Sequence, residues 1–485
     1  MQTSSGTYSR QGRIAFRPIT GFSPGAEART PGSYAIDLFC LALPLANFTS
    51  ITLIGALPGG EVMTLLVVLP CLLVAWKRIW RGYSKTIFTL MGLWLLSQVV
   101  TDFYRHTDFG LAARGFAAIV FFAIDLSVVS ALAYKNTRRI ILLIIGQILG
   151  NALAFYFFNR FWLDEAGAWK FGYSTFVIPT ILLTSSYFYA KRQYGIAFLL
   201  MIGIAGVNLS QNFRSQTLII MASSVLILPL SAFARRRNGP SLYMRSAPRP
   251  SARRLRPKFP MHVVVLLALV GVVAFATTKT YSYLASHGAL GDRALEKYEE
   301  QSRGKFGMLV GGRPETLISW RAVVDSPILG HGSWAADRKY NLMLADIEDA
   351  AGYTDDEAPA EQKDQFIGDL IPCHSYLMEA WVWAGFLGAV FWIYIFYLNG
   401  KALLRVVTVQ PPLSPYLAYI VLLEFWSILF SPFGYTVRMD QSIILVIFFT
   451  LLETSARPAK VQVQQPQAQP WRFAGPGRTN PHLAR

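Results

Sequence analysis

Charged residues are scarce in this chain of 485 residues: Asp, Glu, Lys and Arg make up 15% of it, whereas 53% of it is hydrophobic. A soluble protein of ordinary composition carries about 25% charged residues, and the mean hydropathy here is +0.36. Apolar runs recur along most of the chain. The composition therefore argues against an ordinary soluble protein and predicts an all-α polytopic membrane protein whose main solvent is lipid.

Cysteine is also nearly missing, since the chain has only Cys40, Cys71 and Cys373. Two of the three lie inside apolar segments, so neither a disulfide framework nor a metal-ligand spacing is expected. The first 33 residues are polar and have no apolar core of the kind that a cleaved signal peptide needs. Basic residues outnumber acidic ones by 45 to 28. Without a nucleic-acid motif, this excess indicates cytoplasmic loops and not a nucleic-acid partner.

Apolar runs long enough to cross roughly 30 Å of hydrocarbon can be placed at twelve positions. They are 35–56, 61–76, 86–103, 111–133, 139–158, 173–190, 194–210, 216–234, 261–280, 374–399, 415–431 and 440–453. We therefore predict about 12 transmembrane helices, the first nine within residues 35–280 and the last three within 374–453.

The basic residues predict which loops face the cytoplasm. With the N-terminus in the cytoplasm, the cytoplasmic segments contain 29 of the 45 basic residues, as the positive-inside rule requires. Both termini are then cytoplasmic, and the segments 1–34 and 454–485 are predicted to be disordered. The external loop 281–373 contains nine basic and sixteen acidic residues, and its length predicts a small folded domain outside the membrane.

Within this loop, the clearest local pattern is GGRPETLISWRAVVDSPILGHG, residues 311–332. A proline and a glutamate suit the first turn of a helix, and Leu317, Trp320 and Val324 then recur on one side at helical spacing. An amphipathic helix with a tryptophan is typical of the membrane interface. Arg313 precedes the first turn, where free backbone N–H groups favour an anion. It is a candidate phosphate ligand, with contact to a lipid headgroup as the simpler interpretation.

A second arginine stands in the short external turn between the seventh and eighth predicted helices, NLSQNFRSQTLII. Arg214 must lie near the membrane there, and its sequence neighbours are neutral hydrogen-bonding residues. A guanidinium in that setting suits bidentate binding of a phosphoryl group, and snorkelling to a lipid phosphate is the alternative. Arg114, early in the fourth predicted helix on the same side, is a further candidate of this kind.

A histidine opens the tenth predicted helix in IPCHSYLMEAWVWAGFLG, residues 371–388. The positive end of a helix dipole disfavours a cation, so His374 is expected to be neutral and able to accept a proton. Small residues further along predict close helix packing that would hold the histidine rigidly. Glu379, an intramembrane acid with no local partner, is a supporting candidate. A structural hydrogen-bonding role for His374 is the alternative, and no metal ligands stand beside it.

Together these segments resemble the O-antigen ligase/O-antigen polymerase superfamily. The likeness rests on GGRPETLISW, SPILGHG, HSYLMEAWVWAGFLG and, earlier in the chain, SQNFRS, in order over about residues 205–400. The upstream helices match only in number and hydrophobicity. The resemblance implies a C-type glycosyltransferase of the bacterial inner membrane, metal-independent and without a cofactor, whose active site faces the periplasm.

The resemblance also implies partners and roles. The donor would be a glycan linked to undecaprenyl pyrophosphate, and the acceptor a hydroxyl of lipid A core or of a growing polysaccharide, with protein as a third choice. Arg214 and Arg313 would bind the donor pyrophosphate, and His374 would take the proton of the attacking hydroxyl. Arg114 and Glu379 are not part of this resemblance and stay supporting candidates on the strength of their positions in the sequence.

Two features depart from the family pattern and leave the acceptor open. Ser375 follows the histidine where the family often has asparagine, and the acidic stretch 346–369 lengthens the loop as a mobile lid or an acceptor-facing surface. Ligation and polymerisation share the same donor chemistry, so the sequence does not separate them. A transporter or flippase of polysaccharide is the alternative from another class, although no internal repeat is visible and the long loop follows the ninth helix. A membrane scaffold is a third interpretation.

Overall fold

The computed structural model describes residues 31–52, 55–157, 165–237, 261–291, 295, 298–299, 313–350 and 370–453. The predicted disordered tail, nearly all of the N-terminal segment and most of the acidic stretch 346–369 lie outside these residues. Within the described residues the chain is mainly helical. A short antiparallel hairpin pairs β1 (Ser50–Thr52) with β2 (Ala56–Pro58).

The helices of the described residues are numbered in chain order. They are α1 (Pro31–Leu45), α2 (Gly59–Ile79), α3 (Gly82–Arg105), α4 (Phe109–Ala133), α5 (Thr137–Phe157), α6 (Glu165–Ala168), α7 (Ser174–Ala190), α8 (Tyr194–Ser210), α9 (Arg214–Arg237), α10 (Met261–Ser286), α11 (Glu315–Asp325), α12 (Arg338–Ala350), α13 (Tyr376–Ala384), α14 (Phe386–Val409), α15 (Ser414–Phe430) and α16 (Arg438–Glu453). A π-helical turn, Trp169–Tyr173, leads from α6 into α7.

Five of these helices are long and apolar enough to cross a membrane: α2 over Gly59–Lys77, α3, α4, α5 and α14. A helix of 24 residues, the length of α3 and α14, is about 36 Å long, against roughly 30 Å of hydrocarbon. Helices α8 and α15 and the start of α9 are apolar but shorter. The helical membrane architecture is thus supported, and the count of twelve spans stays a prediction.

The first predicted span, 35–56, is wrong in its second half. Helix α1 ends at Leu45, and a 3-10 turn (Ala46–Phe48) leads into the hairpin. Asn47 explains the early end, because its side-chain oxygen accepts a hydrogen bond from Gly60 N at 3.0 Å at the start of α2. The polar side chains in this otherwise apolar run therefore belong to the turn that follows α1.

The tenth predicted span, 374–399, is two helices and not one. Helix α13 ends at Ala384 and α14 begins at Phe386, because Gly385 has a φ of +70°, a conformation that glycine adopts at little cost. Helix α14 then continues to Val409. The small residues of this span were expected to bring neighbouring helices close together. Instead, they allow α13 and α14 to pack closely against each other. A Cβ on Gly388 would lie 2.3 Å from Ala380 O.

Polar contacts between distant helices occur at two ends of the helix bundle. At one end, Glu453 of α16 lies 3.6 Å from Lys135 Nζ and accepts a hydrogen bond from Tyr83 N at 3.4 Å. Lys401 Nζ donates to Tyr83 OH at 2.8 Å beside them. At the other end, which we call the loop end, the last residue of α3, Arg105, contacts the segment between α11 and α12. Helix α3 therefore begins at the first end, whereas α4, α14 and α16 all run toward it, so α3 is antiparallel to the other three.

Among the described residues, two hydrophobic cores hold the fold together. The main core contains an aromatic centre drawn from α3, α4, α14 and the segment before α16: Trp94, Phe122, Phe391, Trp392 and Phe433. A second core at the loop end joins α11, α12 and α13 through Ile318, Ala322, Val323, Tyr340, Ile371 and Val382. The part of loop 281–373 that carries α11 and α12 is therefore packed onto the bundle.

Candidate functional site

A tight turn of residues 326–333, which we call the docked turn, lies against the loop end of the bundle. Helix α11 ends at Asp325 with Ser326 as its C-cap, and Gly330 and Gly332 have φ values of +78° and +97°. A Cβ on Gly330 would lie 2.7 Å from both Gly385 N and Val382 O. The glycines of SPILGHG therefore permit a close approach between this turn and the break between α13 and α14.

Backbone hydrogen bonds join the docked turn to that break. They are His331 N to Val382 O (2.6 Å), Gly332 N to Trp383 O (3.1 Å) and Phe386 N to Ile328 O (3.1 Å). A helix end leaves its last carbonyls and first N–H groups without intrahelical partners. The docked turn supplies partners on both sides of the break and so stabilises the interrupted helix.

Helix α3 holds the other side of the docked turn with charged side chains. Arg105 donates through Nε and Nη2 to Gly330 O at 3.0 and 2.8 Å. Asp102 accepts from Ser333 N and from Ser333 Oγ, both at 2.6 Å, and Gln98 Nε2 donates to Ser333 Oγ at 2.8 Å. Charge-assisted hydrogen bonds are roughly twice as strong as neutral ones. Sequence reasoning missed these α3 residues because their partners lie more than 220 positions away.

His331, within the docked turn, is half-buried. Its Nε2 lies 2.8 Å from Ala322 O, and its ring meets that of Tyr340 edge-on with 5.7 Å between centroids. Burial lowers the pKa of His331 below the usual imidazole value, and the positive charges of Arg105 and Lys339 lower it further. The docked turn therefore favours a neutral imidazole.

His374 is exposed and stands just before α13, where the sequence predicts it. The next residue, Ser375, is the N-cap of that helix. Ser375 Oγ accepts a hydrogen bond from Met378 N at 3.1 Å and donates one to Ile428 O at 2.8 Å. The backbone that carries the imidazole is thus attached to both α13 and α15, which makes Ser375 a positioning residue that the sequence did not reveal.

The two arginines predicted to bind pyrophosphate each stand at or just before the first turn of a helix. Arg214 is the first residue of α9, and its guanidinium carbon lies 4.5 Å from the centroid of the buried Tyr281 ring. Arg313 is half-buried and precedes α11, which packs against α13 in the second core. Arg313 and His374 are therefore carried by elements that share one core. The convergence of Arg214 with them stays a prediction.

The two supporting candidates have different surroundings. Arg114 is exposed in the second turn of α4. Glu379 is buried on α13, and its Oε2 accepts a hydrogen bond from Phe433 N at 2.9 Å. The sequence around Glu379 offers no hydrogen-bond partner for it. The partner comes instead from the segment between α15 and α16. Glu379 ties that segment to α13.

A cavity of about 280 Å³ lies between α5, α7, α9, α13, α15 and α16. Its ionisable and amide side chains are Gln147, Asn151, Lys170, Gln216, Tyr376, Tyr416, Tyr419, Glu424, Asp440 and Gln441. None of the five predicted site residues lines it. Their close neighbours do, because Phe213 precedes Arg214 and Tyr376 lies two positions after His374.

Two acceptor atoms of cavity-lining residues are left without partners. Glu424 Oε2 accepts a hydrogen bond from Gln441 Nε2 at 2.9 Å. Glu424 Oε1 and Gln441 Oε1 are buried and have no hydrogen-bond partner among the described residues. An unsatisfied buried polar group costs about 1–3 kcal/mol. Twelve buried side-chain atoms have no hydrogen-bond partner within the described residues, and these two are the ones whose residues line the cavity, so they call for an explanation. Glu424 lies within the eleventh predicted span, 415–431, where no functional role was predicted for it.

A buried ion pair lies close to the cavity. Arg438, two positions before the cavity residue Asp440, donates to both carboxylate oxygens of Glu61 at 2.6 and 2.7 Å. Asp125 is fully buried near this pair and accepts a hydrogen bond from Thr64 Oγ1 at 2.7 Å. Intramembrane charges are rare and often functional. This pair was not predicted from the sequence. Glu61 and Arg438 both stand near the ends of apolar runs, where a charged residue is ordinarily interpreted as part of a loop outside the membrane.

No protein-family model and no curated protein matches this chain. Within the described part of the chain, no three His, Cys, Asp or Glu side chains converge as a metal site would need. Function must therefore be argued from the residues and their geometry.

Proposed function

We propose that this protein is an inner-membrane glycosyltransferase of the O-antigen ligase or polymerase type. It moves a glycan from undecaprenyl pyrophosphate to an acceptor hydroxyl on the periplasmic face. The observation that carries the proposal is the packing of α11 on α13, with the docked turn joined to the end of α13. The segments GGRPETLISW, SPILGHG and HSYLMEAWVWAGFLG, on which the family resemblance rests, thus contact one another in space.

In this proposal the loop end faces the periplasm. The opposite end contains Lys135 and Lys401, together with Arg138 and Arg139, which lie 3.0 and 3.1 Å from the carboxylate of Asp37. Such a concentration of basic residues is typical of a cytoplasmic face. Twelve crossings and two cytoplasmic termini belong to the same proposal.

In the proposed reaction, the acceptor oxygen bonds to the anomeric carbon of the donor glycan as the bond from that carbon to the pyrophosphate oxygen breaks. His374 takes the proton of the acceptor hydroxyl, and its exposed side chain is open to a substrate. Arg214 and Arg313 bind the pyrophosphate and offset the charge of the leaving group. Electrostatic stabilisation of this kind is often the largest catalytic contribution.

The test is His374→Ala in the full-length protein, purified in detergent and incubated with a glycan on undecaprenyl pyrophosphate. We expect glycan transfer to fall by about 10²–10⁴-fold, the usual contribution of a positioned base. The thermal unfolding midpoint should not change, because the imidazole is exposed. His287→Ala is the matched control, since His287 is also exposed and lies just past the end of α10. Unchanged transfer in His374→Ala would refute the assignment of the base.

The acceptor is identified in the same assay. A ligase attaches the glycan to added lipid A core, whereas a polymerase lengthens the lipid-linked glycan when lipid A core is omitted. Release of undecaprenyl pyrophosphate without either product would contradict the proposal.

A transporter or flippase is the second candidate, and the buried ion pair of Glu61 and Arg438 beside Asp125 favours it. Charged residues inside a bundle commonly mark ion or substrate pathways. Movement of a fluorescent lipid-linked glycan across liposomes that contain the purified protein, without any acceptor-dependent transfer, would establish this second function.

A further inference from the structure

Within the proposed function, we infer that the cavity binds one hydroxyl-bearing sugar ring, whose hydroxyls donate hydrogen bonds to Glu424 and Gln441. The first reason is the pair of unsatisfied oxygens. Glu424 Oε1 and Gln441 Oε1 belong to residues that are 0% and 3% exposed and that line the same cavity. Both oxygens can accept hydrogen bonds, so an occupant with hydrogen-bond donors satisfies them.

The charge of the lining argues against the pyrophosphate as the occupant. Two carboxyl groups, those of Glu424 and Asp440, line the cavity with a single lysine, Lys170. Phosphate binding sites rely on arginine and lysine side chains or on backbone N–H groups, and carboxylates repel an anion. Neutral hydroxyls, in contrast, donate readily to carboxylate and amide oxygens. The cavity is therefore suited to the sugar part of a substrate.

The walls and the volume fit the same ligand. Tyr376, Tyr416 and Tyr419 line the cavity together with apolar side chains and with amide, hydroxyl and carboxyl groups. Apolar surface and hydrogen-bonding groups are thus both present, as in small-molecule sites. At about 280 Å³, the cavity is slightly smaller than the usual range of such sites, roughly 300–1,000 Å³. It suits a single ring and not a long glycan.

The position of the cavity connects it to the proposed chemistry. Tyr376 is the first residue of α13 and lines the cavity, and its hydroxyl lies 3.4 Å from Gln441 Nε2. His374 stands two positions before it on a backbone that the Ser375 cap fixes. A ring held by Glu424 and Gln441 is thus linked to the proposed base through one short, rigid segment.

The test is saturation-transfer NMR on the full-length protein in a detergent without a sugar head group. The probes are the methyl glycosides of glucose, galactose and N-acetylglucosamine. We expect saturation transfer to the ring protons of at least one glycoside, and a rise in its Kd of about tenfold in Gln441→Met, the effect of losing one hydrogen bond of ordinary strength. Glu424→Gln is the second variant, to be used if Gln441→Met does not fold. It keeps the shape of the side chain.

Gln193→Met is the matched control, because it makes the same chemical change at an exposed residue just before α8 and should bind like the wild type. Saturation transfer that is absent from the wild type, as expected for a cavity that holds only water, would overturn the inference. Full binding in both Gln441→Met and Glu424→Gln would overturn it as well. Because this measurement needs no donor lipid, its outcome is independent of the transfer assay. In that assay, a raised KM of Gln441→Met for the lipid-linked donor or for the acceptor identifies which one supplies the ring.

Discussion

The docked turn and the cavity both bury polar groups beside α13, and they differ in how those groups are satisfied. At the docked turn, both carboxylate oxygens of Asp102 and the guanidinium of Arg105 have hydrogen-bond partners. At the cavity, Glu424 and Gln441 satisfy each other once and leave one oxygen each without a partner among the described residues. A fully paired network makes a structure rigid, whereas unpaired groups lower stability and are typical of sites that await a ligand.

Gly385→Val should produce the largest effect, because it forces the docked turn away from the break between α13 and α14. A Cβ at Gly385 would lie 1.9 Å from Ile328 O, at a φ of +70°. We expect a loss of about 4 kcal/mol or more in the free energy of unfolding, measured by thermal unfolding in detergent. Gly92→Val is the control, since no atom lies within 4 Å of its Cβ position. Equal losses in both variants would contradict the close contact.

Asp102→Ala should cost less, about 2–3 kcal/mol, because it leaves two buried donors of Ser333 without their acceptor. The docked turn should also become sensitive to proteolysis, which is the direct measurement. Asp108→Ala removes the N-cap of α4 and should cost about 1 kcal/mol while the docked turn stays protected. Protease resistance of the docked turn in Asp102→Ala would show that α3 does not hold it.

Acidification should weaken the docked turn through His331. Because the pKa of His331 is lower in the folded protein than in the unfolded chain, the unfolded state binds the proton first. The contribution of this group to stability is complete above the unfolded pKa of about 6.5 and is lost as the pH falls through the lower, folded value. Proteolysis of the docked turn between pH 7 and pH 5 measures the change. His331→Gln should flatten this dependence, and an unchanged pH profile in that variant would exclude His331 as its source.

The double variant Glu424→Leu and Gln441→Met should have the smallest effect on stability, although it removes two buried polar side chains. Replacing both partners of a hydrogen bond by apolar groups is nearly neutral, and here it also removes two unsatisfied oxygens. We expect the free energy of unfolding to change by less than about 1 kcal/mol. A loss as large as that of Asp102→Ala would mean that the cavity pair has a structural role like that of the docked turn.

Local features of the fold could be predicted from the sequence because their causes are local. The proline and glutamate before LISW and the Ser-Pro pair after it correctly mark the two ends of α11. Leu317, Trp320 and Val324, predicted to share one apolar side of that helix, are 41%, 50% and 52% exposed, and the position of that side at the membrane interface stays a prediction. Helix ends and amphipathic faces depend on residues within a few turns, which the sequence displays directly.

Features that depend on distant contacts could not be predicted. The pattern AGFLG in span ten suits both a helix with a small-residue face and a broken helix. The contact of Gly385 with Ile328, 57 positions earlier, favours the broken helix. The positions of Arg313 and His374 beside helix starts were foreseen, whereas the cavity was not, because six helices from across the chain form it.

The contact between Arg105 and the docked turn also has a consequence for synthesis at the membrane. The two partners are 225 residues apart, so at about 5–20 residues per second the ribosome needs roughly 10–45 s to complete the second after the first. During that interval α3 can insert, but its terminal guanidinium has only water and lipid headgroups to bind. The nascent chain can therefore join these two parts only late, after at least two-thirds of it has been made, and a variant that weakens the joint should leave a fully inserted but unfinished protein for quality-control proteases.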